Sequence, residues 1–199
     1  MNQFIKFNPA TFDLWCRLLT AVPGSVLWLL DDDKQPEGKI NLRREAGQRG
    51  VAADRLVFAP RKSLTQHLAR LRLADLALDT FPCTSHTTAS DALWAGVPLI
   101  TRIGQTFAGR VAASLLTTHG FPELIVQDDE AYFQLALSLV KQPERLRLLR
   151  QKLDAVRLSS PLFDTARFTR DLERLYEAIW QQHSIPRNER PPLILNAAP

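Results

Sequence analysis

The chain has 199 residues, 45% apolar and 23% charged, which excludes a fibrous or wholly disordered protein and fits one globular domain with at most a small appendage. Its net charge of +4 invites an anionic partner. The basic residues are scattered among acids, as in Arg167-Phe168-Thr169-Arg170-Asp171-Leu172-Glu173-Arg174, which reads as a solvated helix face and not as a nucleic-acid stripe. A small phosphate ligand is compatible with that excess. Cys16 and Cys83 lack CxxC spacing, and His67, His86, His119 and His183 lack HxH or HxxxH spacing, so neither a disulfide framework nor a zinc site is expected. The longest apolar run, Val26-Leu27-Trp28-Leu29-Leu30, is too short to span a bilayer. No secretory signal follows Met1, so the expectation is a cytoplasmic protein with no membrane and no nucleic-acid partner.

Along the chain, Phe12, Trp15, Cys16 and Leu19 form a helical stripe that Pro23-Gly24 ends. Val26 to Leu30 reads as a buried strand, Lys39 to Arg49 as a polar helix, and Pro36 with Gly38 as an exposed turn between them. Leu56-Val57-Phe58 is the next strand, Ser63 to Arg72 a helix, Leu76-Ala77-Leu78 a strand, and His86 to Ala95 a helix. Pro98 to Thr101 is a fourth strand, Phe107 to Thr118 its helix with Gly120 as the stop, and Leu124-Ile125-Val126 a fifth strand. Asp128-Asp129-Glu130 suits a helix N-terminus, after which Tyr132, Leu135, Ala136 and Leu139, then Leu146, Leu149, Leu153 and Val156, form two stripes. A last helix from Asp164 carries Phe168, Leu172, Leu175 and Ile179, and a loose proline-rich tail follows over residues 184–199. Alternating strands and helices imply a Rossmann-like α/β fold, a parallel sheet with helices on both faces and a helical C-terminus. Ligands of such sheets sit beyond the carboxyl ends of the strands.

The most informative of those ends is Asp79-Thr80-Phe81-Pro82-Cys83-Thr84-Ser85-His86-Thr87-Thr88-Ala89-Ser90-Asp91. The amides of a helix beginning near His86 could hold a phosphate, Thr87 and Thr88 add hydroxyls, and Asp91, one turn on, could accept from a ribose. The same residues also read as an N-cap at Thr84 or Ser85 followed by a solvated acid. His67 and Arg70 share a helix face at the same sheet edge and could frame a base, or simply be surface residues. Gln3 and Lys6 could reach a phosphate or be solvated. Asp31-Asp32-Asp33 could hold a divalent metal with a nucleotide sugar, although Lys34, Pro36 and Gly38 suggest a solvated loop.

Taken together these residues resemble the C-terminal catalytic half of the O-GlcNAc transferases and the SPINDLY-type glycosyltransferases. The likeness runs from Asn2 to about His183. Its markers include Asn2-Gln3-Phe4-Ile5-Lys6, Val22-Pro23-Gly24-Ser25-Val26, Leu78-Asp79-Thr80, His86-Thr87-Thr88 with Asp91, Leu93-Trp94-Ala95-Gly96-Val97-Pro98, and Ser159-Ser160-Pro161-Leu162-Phe163. The resemblance implies the C-terminal lobe of a GT-B glycosyltransferase over residues 1–183, using UDP-GlcNAc as donor without a metal or other cofactor. Gln3 and Lys6 would contact the diphosphate, Lys6 also offsetting leaving-group charge. His67 would stack on uracil, Arg70 would frame it, His86, Thr87 and Thr88 would bind phosphate, and Asp91 the ribose. Leu64 departs from the lysine that animal members carry near uracil, with Arg61 and Lys62 close by. Tetratricopeptide repeats and the N-terminal lobe, with the general base and the acceptor groups for Ser/Thr hydroxyls, are not encoded here, and the resemblance places the lobe's first strand before Asn2. A truncated lobe, inactive alone, is therefore expected. The alternatives are a non-catalytic nucleotide- or partner-binding fragment and a GDP-fucose-using enzyme.

Overall fold

The computed structural model describes residues 4–6, 8–31 and 36–191. Helix α1 (Pro9–Ala21) opens on Asn8, whose side chain accepts from the Thr11 amide, and on a proline at its first position. It buries Phe12, Trp15, Cys16 and Leu19, the stripe read from the sequence. Then follow β1 (Leu27–Leu30), α2 (Pro36–Gln48), β2 (Leu56–Ala59), α3 (Leu64–Leu71), β3 (Ala77–Leu78), α4 (Thr87–Trp94), β4 (Leu99–Arg102), α5 (Val111–His119), β5 (Ile125–Val126), α6 (Asp129–Lys141) and α7 (Pro143–Val156). Each of these corresponds to an expected element in type and chain order.

Two expectations change. Pro36 and Gly38 do not form an exposed turn but open α2, where proline's fixed φ and missing N–H suit the first turn. The helix expected from Phe107 begins only at Val111, because residues 104–110 close on themselves. The Gly104 amide donates to the Gly109 carbonyl at 2.8 Å and the Gly109 amide to the Thr106 carbonyl at 3.1 Å. A Cβ at Gly109 would lie 2.9 Å from the Pro82 carbonyl oxygen and 3.2 Å from the Gly104 Cα, so only glycine lets the two loops approach.

All pairings are parallel. β1 lies on β2 with Leu27 opposite Leu56 and Leu30 opposite Ala59. β3, β4 and β5 follow in that order, with Leu78 opposite Ile100 and Thr101 opposite Ile125. Among the described residues the five strands thus make two ladders, where alternation alone suggested one sheet. Leu93, Ile100, Leu116, Phe121, Leu124, Tyr132, Leu139 and Leu153 are fully buried between the strands and α4–α7. Gly120, at φ +86°, stops α5 as expected. The preceding His119 is buried, its ring tilted against Phe121 at 5.3 Å, and the Lys152 ammonium of α7 lies 4.3 Å from the Phe121 ring centre. Arg150 of α7 donates to the Arg72 and Ala74 carbonyls, bracing the turn that leads into β3.

Residues 158–191 belong to a second compact unit. Its helix α8 (Thr165–Gln181) is capped by Asp164, which accepts from the Arg167 amide at 2.9 Å. Short 3-10 turns at Gln182–Ser184 and Arg187–Glu189 occupy the start of the expected loose tail, and residues 192–199 lie outside those described. No helix among the described residues is long and apolar enough to cross a membrane. Replacing Gly109 with alanine is expected to lower unfolding stability by roughly 1–3 kcal/mol through the overpacked contact with Pro82. Urea denaturation of the variant beside the parent chain measures it.

Candidate functional site

The strand ends are organised by Asp79, which leaves β3 with no solvent exposure. Its Oδ1 accepts from the Thr80 amide at 2.8 Å and the Ser85 amide at 2.7 Å, and its Oδ2 accepts from the Thr101 hydroxyl of β4 at 2.6 Å. The Tyr132 hydroxyl of α6 donates to the Asp79 carbonyl at 3.1 Å. Burial pushes the Asp79 carboxyl above the usual range, while hydrogen bonds from Ser85, Thr101 and Thr80 pull the other way. The loop it holds is tied down further. Thr80 donates to the Cys83 carbonyl at 2.8 Å, and the Thr84 hydroxyl donates to the Ala108 carbonyl at 2.7 Å.

That last bond corrects the N-cap reading of Thr84 and Ser85. The N-cap of α4 is His86, and no side chain caps the helix. The Ala89 and Ser90 amides both donate to the His86 carbonyl, at 3.0 and 3.1 Å, so the Thr87 and Thr88 amides stand ahead of the helical ladder. Thr87 is exposed and Thr88 half-buried. The His86 Nε2 is buried without a hydrogen-bond partner among the described residues, and its ring meets the exposed Phe107 edge-on at 6.5 Å.

The N-terminal segment is fastened to this same loop. Asn8 and Thr11 both donate to the Phe81 carbonyl at 3.0 Å, and the Lys6 ammonium donates to the Thr84 carbonyl at 3.1 Å. Phe4 packs edge-on against Phe58 at 6.1 Å and lies so close over α2 that a Cβ at Gly38 would meet its ring at 2.5 Å. A cation therefore sits two residues before His86. Gln3 lies outside the described residues.

His67, Arg70 and Asp91 come together beside that helix start. Arg70 donates to the Pro60 carbonyl and approaches His67 Nδ1 at 3.1 Å, while His67 Nε2 stands 3.8 Å from an Asp91 carboxylate oxygen. Burial lowers the His67 pKa from its ordinary value, the charge of Arg70 adds to this, and Asp91 opposes it. Burial therefore favours the neutral imidazole. With guanidinium donors on Nδ1, its proton belongs on Nε2, toward Asp91. Leu64 is exposed at the first position of α3. Asp31 is engaged by Lys39 at 2.8 Å, whereas Asp32 and Asp33 lie outside the described residues. No cluster of three His, Cys, Asp or Glu suited to a metal occurs among the described residues.

Asp79, Asn8 and Thr11 carried no assignment from the sequence, and Tyr132 only a place on a helical stripe. Only Asp79 left a signal, an acid placed directly at the end of an apolar strand and followed by small polar residues.

Residues 1–172 match the model of glycosyl transferase family 41. An Arabidopsis thaliana protein described as a probable UDP-N-acetylglucosamine–peptide N-acetylglucosaminyltransferase is 40% identical over 92% of this chain. A Caenorhabditis elegans UDP-N-acetylglucosamine–peptide N-acetylglucosaminyltransferase is 37% identical, again over 92% of the chain. The chain spans only 18% and 16% of those two relatives. Among solved structures, a mutant of Thermobaculum terrenum O-GlcNAc transferase superimposes with a TM-score of 0.87 at 36% identity, over 92% of this chain and 35% of that one.

Asp79→Ala would leave two buried amides and a hydroxyl without their acceptor. At roughly 1–3 kcal/mol for each buried polar group left unpaired, a loss of at least about 3 kcal/mol of unfolding free energy is expected. Asp79→Asn, which keeps an acceptor oxygen, should lose less. Chemical denaturation of both variants gives the comparison.

Proposed function

Since the chain belongs to glycosyl transferase family 41 and superimposes on 35% of its solved GT-B neighbour, we propose that residues 1–183 form the donor-binding lobe of a protein O-GlcNAc transferase that holds UDP-GlcNAc without a metal ion. The observation that carries this reading is the pairing of the uncapped α4 start with the Lys6 ammonium on one loop. The free Thr87 and Thr88 amides, the helix dipole and the Thr87 hydroxyl suit a diphosphate. Lys6 supplies the positive charge that a bound metal would otherwise provide, and Gln3 joins it on the diphosphate. His86 Nε2 is a further polar atom for the phosphate side.

The remaining residues suit the nucleoside. A neutral His67 presents a flat ring for stacking on uracil, Arg70 is held beside it, and Asp91 accepts from the ribose hydroxyls. As the sugar leaves for a Ser or Thr hydroxyl, negative charge develops on the departing UDP, and donors fixed beforehand at the helix start stabilise it without reorganising. The base that takes the hydroxyl proton and the groups that seat the acceptor come from polypeptide outside this chain.

A second donor, GDP-fucose, is kept for the test because of one residue on the nucleoside side. The exposed Leu64 leaves the base-binding side less determined than the phosphate side. GDP therefore stands beside UDP in the test, as the diphosphate of a fucose donor.

Calorimetric titration with UDP, GDP and ADP, with and without EDTA, is expected to give tightest binding for UDP and no change on chelation. Tighter GDP binding would transfer the reading to a fucose donor, and loss of binding with EDTA would revive the carboxylates at 31–33 as a metal site. Lys6→Ala and Asp91→Ala should each weaken UDP binding by roughly 1.5–3 kcal/mol, the worth of a charge-assisted hydrogen bond. Incubated alone with radiolabelled UDP-GlcNAc and a Ser/Thr-rich peptide, the 199-residue chain is expected to label no peptide. Orienting acceptor against donor contributes roughly 7–11 kcal/mol to such a step, and one lobe cannot supply it.

A further inference from the structure

Among the described residues no aromatic side chain is more exposed than that of Phe107, at 84%. A single exposed apolar side chain is ordinary in itself, and exposed loop tips are usually small, polar and free to move. Phe107 stands on a loop that is not free. Its carbonyl accepts from the Arg110 amide at 3.0 Å. The Ala108 carbonyl accepts from both the amide and the hydroxyl of Thr84, at 3.0 and 2.7 Å. The Thr106 hydroxyl accepts from the Gly109 amide, and the Arg110 guanidinium donates to the Gly104 carbonyl, both at 3.1 Å. Together with the bond between Gly104 and Gly109, these contacts hold the backbone on both sides of residue 107. The fold fixes an apolar ring in water where it could have hidden it.

That ring stands at one flank of the α4 start. Helix α4 packs against α3 and against α5. His67 and Arg70 reach it from α3, whereas Phe107 reaches it from the loop that enters α5. The Phe107 ring meets that of His86 with centres 6.5 Å apart and planes at 85°. His86 immediately precedes the Thr87 and Thr88 amides that stand ahead of the helical ladder. So perpendicular and distant a contact covers little of the Phe107 ring, and the rest is open to a ligand seated on those amides.

The chemistry of an aromatic face selects among the parts of a nucleotide sugar. In such a donor the diphosphate joins the nucleoside to the sugar, and a nucleoside on the α3 side leaves the α5 side for the sugar. The face of an aromatic ring is electron-rich, so it repels a further phosphate and attracts weakly positive C–H bonds. A pyranose whose ring substituents lie mostly in the plane of the ring offers such C–H bonds on its faces. The nucleobase already has a flat partner in His67.

We infer that Phe107 is a sugar-positioning residue: its exposed ring stacks on the pyranose of the bound donor and orients that sugar beside the diphosphate. The inference rests on the donor reading above and deepens it, because the phosphate and nucleoside contacts do not involve this side chain. An aromatic platform of this kind rewards the sugar and is indifferent to the base. Choice of sugar and choice of nucleotide are thereby made on opposite flanks of α4.

The test compares UDP with UDP-GlcNAc on the 199-residue chain by calorimetry. Phe107→Ala is expected to lower the affinity for UDP-GlcNAc, taken relative to that for UDP, by about tenfold, while Phe107→Tyr keeps the ratio within about twofold of the parent. Because the side chain is exposed, both variants should unfold at the parent's denaturant midpoint. A direct readout comes from para-fluorophenylalanine placed at position 107, whose fluorine resonance should move on addition of UDP-GlcNAc and stay in place with UDP. An unchanged affinity ratio in Phe107→Ala would overturn the inference and leave the donor reading standing, as would a resonance that moves equally with UDP. Absence of UDP binding by the parent chain would overturn the donor reading itself, and this inference with it.

Discussion

The buried carboxylate of Asp79 is the constraint on which the rest of the α/β unit turns. An acid taken out of water is costly unless each oxygen finds donors, and here one oxygen takes two backbone amides while the other takes a hydroxyl. Those donors come from the loop that leads to α4 and from the neighbouring strand β4, and α6 adds its Tyr132 hydroxyl to the Asp79 carbonyl. One side chain thereby fixes where the sheet ends, how the loop turns and where α4 begins. The uncapped helix start is affordable because its position is enforced from behind rather than by a cap of its own.

The N-terminal segment depends on that loop in turn. Asn8 and Thr11 hold the Phe81 carbonyl and Lys6 holds that of Thr84. Phe4 is clamped between Phe58 and the glycine at position 38. The cation near α4 is thus delivered by a short stretch whose own anchors lie on β2, α2 and the loop after β3. The placement of Lys6 is a tertiary result.

This explains what could be read from the sequence and what could not. Helices and strands announced themselves because Phe12, Trp15, Cys16 and Leu19, or Tyr132, Ala136 and Leu139, repeat at spacings that only one backbone geometry turns to a common face. The cluster of His67 and Arg70 was legible for the same reason. Its meeting with Asp91 was not, since that depends on how α3 and α4 pack. Thr84 looked like a cap because threonine often caps, yet its hydroxyl is taken by the Ala108 carbonyl of a loop 24 residues away. Phe107 looked helical, but the pairing of Gly104 with Gly109 keeps it in an exposed loop. The opening of α2 at Pro36 was hidden because proline and glycine mark turns and helix starts alike. Periodicity is local, and each of these outcomes was decided by a partner far along the chain.

The stop of α5 carries a consequence of its own. His119 is packed under Phe121, and burial together with the nearby Lys152 charge lowers its affinity for a proton. In the unfolded chain the same imidazole ionises near its ordinary value of about 6.5. As acidity increases through that value the unfolded chain takes up a proton that the folded one resists, so this residue favours the fold above it and progressively withdraws that support below it. The packing that ends one helix so neatly makes the seam between α5 and α7 a place where mild acid acts on the protein.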